Sequence, residues 1–249
     1  MSFLANFNKM VDFLKAQGMF INHLWINPPA SEAEILEVEN ALGYHLDKSI
    51  KDFFRECNGV QLLWSHPNNE NFAKMREIIK SKNFIGYGIT DNFLFDGALF
   101  IEPIKSVFLT DWYDRIYFDF TIEDKRAVQF AEKTYIEPDF SKRIKPFDMY
   151  SVFNEQTFFL NGLPNPPVVM GDDYQACYTD SFLMNFTDYL EFVLHFYASV
   201  EARRAFFSKF NGNNSSKKAK ADFLKFPVID LTKYENNSVV LPFDKSFWS

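Results

Sequence analysis

Two cysteines, four histidines and nine glycines in 249 residues leave little material for several kinds of chemistry. Cys57 and Cys177 lie far apart, in apolar surroundings and without a CxxC neighbour, so they read as buried free thiols in a reducing compartment rather than as a disulfide. His23, His45, His66 and His195 show no paired metal-ligand spacing. There is no GxGxxG, no Walker loop and no serine-elbow motif, and Gly86-Tyr87-Gly88 lacks phosphate-binding spacing. No apolar run reaches membrane-spanning length, and the opening stretch to Trp25 mixes Asn, Lys, Asp and Gln into its apolar positions, unlike a signal peptide. These scarcities predict a cytoplasmic protein with no catalytic residue, metal or cofactor.

What is present is core material. Hydrophobic residues make up 47% and aromatics 18% of the chain, with 31 phenylalanines, far above the content of a disordered acidic chain. The formal net charge of -7 argues against nucleic acid and anionic membranes as partners and suits a basic protein.

Local patterns predict the elements. Phe3, Phe7, Met10, Val11, Phe13 and Leu14 recur at helical spacing, in a helix ending before Gly18. Pro28-Pro29 forces an extended approach to a second helix. Ser31 caps that helix, Glu34 takes the capping-box position, Ile35, Val38 and Leu42 face inward, and Gly43 ends it. A third helix begins at Ser49, buries Ile50, Phe53 and Phe54, and stops at Asn58-Gly59. Residues 60–79 read as a loop and then a short helix. From Phe84, FIGYGIT, NFLFDGALFIE, IKSVFLTDW, DRIYFDFT and AVQFAEK read as strands, with Asp96-Gly97 as a hairpin turn. SVFNEQTFFLNGL suggests a helix ending at Gly162, and a stripe from Phe182 through Phe186, Tyr189, Leu190, Val193, Phe196 and Tyr197 a longer one reaching Phe206 or Phe207. The stretch from Lys217 reads as a solvated connector, and the apolar tail beyond it should pack on the domain or on another chain.

The order Pro28-Pro29, Ser31, Glu34, Ile35, Glu39, Leu42, Gly43, Leu46, Ile50, Phe53, Phe54, Asn58, Gly59 resembles the SMI1/KNR4 family of the SUKH superfamily. Asp47 stands where the family pattern has a proline, and TDSFLMNFTDYLEFVLHFY resembles the family's closing helix, so the likeness runs over about residues 28–197. It implies an α+β fold, a mixed or mainly antiparallel sheet flanked by helices, in a domain covering 28–207 with an N-terminal helical addition (1–27) and a C-terminal extension (208–249). It further implies a non-enzymatic binding module. Bacterial members are typically immunity proteins that neutralise a cognate toxin, and fungal relatives are regulatory scaffolds.

The residues themselves propose two contact clusters. Asp111, Trp112, Tyr113, Asp114 and Tyr117 combine aromatic anchors with carboxylates, a composition suited to a basic protein surface, and Asp172, Asp173 and Tyr174 repeat the theme in a loop.

Overall fold

The computed structural model describes residues 2–71, 74, 77, 95–112, 127–130, 133–136, 139–149, 156–170, 182–203, 228–235 and 238–239. Helix α1 (Phe3–Ala16) is capped by Ser2, whose hydroxyl accepts from the Ala5 N–H, and it buries Phe3, Phe7, Met10, Val11 and Leu14. Phe13 points outward and stacks on Tyr197, with centroids 5.3 Å apart.

Helices α2 (Glu32–Leu42) and α3 (Lys48–Glu56) follow the sequence closely. The capping box is complete: Glu34 N donates to Ser31 Oγ, and Ser31 N donates to Glu34 Oε2 at 2.8 Å. Gly43 takes φ 76°, the left-handed conformation that ends a helix. The departure at Asp47 has a structural use. Its carboxylate caps α3 by accepting from Ser49 N at 2.9 Å, so the helix starts one residue earlier than expected.

The central sheet has seven strands in the order β1-β2-β3-β6-β7-β8-β9, and every ladder in it is antiparallel. The strands are β1 (Phe20–Ile26), β2 (Val60–Ser65), β3 (Gly97–Ile101), β6 (Ile144–Asp148), β7 (Gln156–Phe159), β8 (Val168–Met170) and β9 (Phe182–Met184). The main core lies between one face of the sheet and α1, α2, α3, α4 (Ile104–Leu109) and α6 (Phe186–His195). On the other face the hairpin of β4 (Ala127–Phe130) and β5 (Lys133–Ile136), with α5 (Asp139–Lys142), closes a smaller core of Phe130, Phe140, Ile144, Phe159 and Val169. Phe158 serves the main core and Phe159 the smaller one, as the period of two along a strand requires. Ile229, Leu231 and Val239, around a short ladder of β10 (Tyr234–Glu235) and β11 (Ser238–Val239), are buried in the main core.

Several local expectations are corrected. Residues 104–109 are helix, not strand, because Ile104, Val107 and Phe108 fall on one helical face and Asn58 Oδ1 accepts from the Ile104 N–H at 2.8 Å. Within SVFNEQTFFLNGL, residues 156–159 are strand β7, paired with β6 and β8. The stripe from Phe182 is split: 182–184 form β9, Asn185 caps α6, and α6 ends at His195 rather than running on. Tyr197 and Ala198 then take φ 53° and 55°, which turns the chain back onto β3. Asp96-Gly97 is not a tight turn. Gly97 opens β3 opposite Trp64 and is glycine because an added Cβ would sit 1.8 Å from the indole Nε1. Residues 60–65 are strand β2, not loop. The expected strands around 84–94 and 113–120, the remainder of the short helix near 73–79, and the stretch from Lys217 lie outside the described residues.

Candidate functional site

The family-like signature resolves into a staple. Glu39, buried on α2, accepts from Leu46 N at 2.8 Å, from Lys51 Nζ at 3.0 Å and from His45 Nδ1 at 2.9 Å. Burial pushes its carboxyl up, but those hydrogen bonds outweigh it and hold the group below the usual carboxylate range. One side chain thus fixes the link between α2 and α3. Replacing Glu39 with alanine is expected to cost about 2 kcal/mol, and with glutamine less, because the Leu46 amide is otherwise left without an acceptor. Urea denaturation of the two variants measures this.

Asn58-Gly59 is the second half of the staple. Asn58 N donates to Pro28 O at 3.1 Å, Asn27 N donates to Gly59 O at 3.1 Å, and Asn58 Oδ1 starts α4. Gly59 takes φ +100°, and a Cβ there would meet Ile101 O at 2.4 Å, so the position admits only glycine. Cys57, immediately before, is fully buried, and burial pushes its thiol up to about 12, which leaves it unreactive. These signature residues join α2, α3, β1, β3 and α4; they form no reactive cluster.

A buried ionic group crosses the core beneath α6. Asp148 Oδ1 accepts from Phe100 N at 2.7 Å, and Oδ2 accepts from Tyr189 OH and from Arg203 NH1 at 3.1 Å. Arg203 NH2 donates to Ala98 O at 2.6 Å. Burial raises the Asp148 carboxyl, opposed first by the Arg203 charge and then by the Tyr189 hydroxyl. Every group is sealed from solvent, so this is an architectural pair that ties β3, β6, α6 and the turn after it.

Of the sequence-predicted contact residues, the structure describes two. Asp111 is exposed, and its charge lies near Lys145, whose ammonium is pushed down by burial and supported by Asp111. Trp112 is corrected from an exposed anchor to a core residue. It is 1% exposed and its indole N–H donates to Val107 O at 2.9 Å, so the aromatic folds inward against α4. Tyr113, Asp114, Tyr117, Asp172, Asp173 and Tyr174 lie outside the described residues.

A surface that the sequence reading missed lies on β1, which ends the sheet order among the described residues. Phe20 and Trp25 are exposed on one face of β1, Trp25 at 56%, and Leu24 on the other, and the chain carries no Asp, Glu, Lys or Arg from Ala16 to Ser31. Trp25 is oriented by its own N–H, which donates to Asn27 Oδ1 at 2.8 Å. An uncharged strip with an exposed indole has the composition of a protein-contact anchor. Its signal in the sequence is the missing charge rather than any motif.

No group of three His, Cys, Asp or Glu side chains among the described residues could hold a metal ion, and no helix among them is long and apolar enough to cross a membrane. The antiparallel sheet and the stapled helix pair define an α+β fold with helices flanking the sheet. The chain belongs to the SMI1/KNR4 family (SUKH-1), whose family model matches residues 29–192. Membership supports a protein-binding role. No curated protein matches the chain.

Proposed function

We propose that this chain is a non-enzymatic immunity protein that neutralises a cognate protein toxin by one-to-one binding. The observation that carries the reading is the family match over residues 29–192. The net charge of -7 suits a basic toxin, since complementary charge speeds encounter and disfavours wrong partners.

The β1 strip supplies the apolar anchor of this contact, and acidic residues such as Asp111, with Asp114, Asp172 and Asp173 from the sequence, supply its charge. Replacing Trp25 with lysine is expected to weaken toxin binding by about 2 kcal/mol or more, as loss of an aromatic hot spot does. The same change should alter folding stability by less than about 0.5 kcal/mol, because the side chain is exposed. The test uses the chain as bait in lysate of its own organism, including cells that express the neighbouring genes, followed by a toxicity assay of what it retains. A single retained protein that loses toxicity on binding supports immunity. Several weakly held cellular proteins and no toxin would favour the regulatory-scaffold role of the fungal relatives.

A further inference from the structure

A polar cluster outside the staple and the Asp148 pair joins the loop after β2 to the segment carrying β10. Asp96, 4% exposed, accepts through Oδ2 from His66 N at 2.7 Å and from Asn69 Nδ2 at 3.0 Å. Its other oxygen, Oδ1, is buried and has no hydrogen-bond partner. The Tyr234 hydroxyl is likewise buried and unpartnered, and the phenol is pushed up by burial and by the negative charge of Asp96 and Glu70. The Tyr234 ring stacks on His66 at 4.6 Å and 12°. Burial pushes the His66 imidazole below its ordinary range. Its Nδ1 accepts from Asn68 N at 3.1 Å, which leaves Nε2–H to donate to the Leu231 carbonyl. Residues 229–235 therefore sit on the domain through Ile229, Leu231 and this polar cluster, with Val239 buried beside them in the same core.

The His66 backbone N–H and the Asn69 amide reach Asp96 from the loop, the charges of Asp96 and Glu70 both act on Tyr234 of β10, and the turn after α6 contributes Val200 N, which donates to the Asp96 backbone carbonyl. Among the described residues, Arg203 is bound to Asp148 and Ala98 O, and Lys233 to Asp230 at 3.2 Å. The two hydrogen bonds on Oδ2 come from neutral donors, so neither of them neutralises an ionised Asp96.

We propose that residues 229–235 form a proton-dependent strap, seated when the Asp96 carboxyl is protonated and released when it ionises. The proton comes from solvent and binds Oδ1, the carboxyl oxygen that has no hydrogen-bond partner. No other bond forms or breaks. Burial raises the Asp96 carboxyl to about 6. A group raised in the seated state contributes seating that is complete below its ordinary value near ~4 and lost as pH rises through about 6. This strap is independent of which protein the chain binds.

The test is hydrogen exchange of the purified full chain at pH 5 and pH 7.5, corrected for the intrinsic exchange rate. Amides of 229–235 should lose protection by about tenfold at the higher pH, while β2 amides keep theirs. Asp96→Asn should abolish the step and keep both hydrogen bonds to the side-chain oxygen. Equal strap protection at both pH values, a step that persists in Asp96→Asn, or a parallel loss in β2 would overturn the proposal. If Asp96→Asn does not fold, carboxyl-carbon NMR of the wild-type chain decides. An Asp96 titration near pH 6 that tracks strap release supports the strap, and a titration in the ordinary carboxylate range overturns it.

Discussion

Gly97→Ala is expected to destabilise the chain by about 3–5 kcal/mol, the upper range for a single substitution, and to lower the thermal midpoint by about 10 °C. The added Cβ would lie 1.8 Å from Trp64 Nε1 and 2.2 Å from Cε2. The indole has no room to retreat, since it is fully buried and its N–H donates to Tyr197 O at 2.7 Å. That bond in turn holds the left-handed turn at Tyr197 and Ala198, from which Ala198 O accepts from Ala98 N at 3.0 Å. One methyl group therefore strikes a joint between β2, β3 and the turn after α6. A double-mutant cycle with Trp64→Phe, read by thermal denaturation, checks the mechanism. The smaller ring should recover part of the Gly97→Ala loss, and simple additivity of the two losses would refute the steric cause.

Arg203→Met should be nearly as damaging, at about 3–5 kcal/mol, because it strands a buried carboxylate. Asp148 would keep the Phe100 amide and the Tyr189 hydroxyl but lose the only cation in contact with it among the described residues, and Ala98 O would lose its guanidinium donor. The sign of the pH dependence follows. Without the guanidinium the Asp148 carboxyl is raised further, so its neutral form is favoured in the folded state and the deficit of the variant shrinks as pH falls. Urea denaturation of both proteins at pH 5 and pH 8 measures it, and a deficit that grows at low pH would contradict the assignment. Replacing both Arg203 and Asp148 with apolar residues should recover only part of the loss, because the Phe100 amide then has no acceptor.

The parts of the fold legible in the sequence are those specified by short-range side-chain chemistry. The Ser31–Glu34 box, Gly43 and Asn58-Gly59 mark their helix ends whatever the rest of the chain does, and α2 and α3 fall where those residues place them. The illegible parts are set by tertiary contacts. Strand β2 is buried along almost its whole length, so VQLLWS shows no alternation to mark it as a strand. In β1 the period of two is broken by a register shift between Ile21 and His23. The run after Pro103 is rich in apolar residues suited to strands and is helical because Asn58, distant in sequence, caps it. The break after α6 has no Gly or Pro to announce it, since Tyr197 and Ala198 hold positive φ only with the support of Trp64 and β3.

Which aromatic side chains reach the surface is not legible in the sequence: Trp112, beside a carboxylate, turns inward against α4, whereas Trp25, in an uncharged stretch, turns outward. Burial, which decides between anchor and core, is a property of the assembled sheet.

Titration calorimetry of the purified chain against the candidate toxin that it retains as bait is the most direct measurement. Expected is a single nanomolar site of one-to-one stoichiometry that is weakened at least about thirtyfold by Trp25→Lys, the equivalent of 2 kcal/mol, with the toxin inactive in the complex. No heat of binding, or a tight complex in which the toxin stays active, would contradict the immunity reading, and an affinity untouched by Trp25→Lys would remove β1 from the interface.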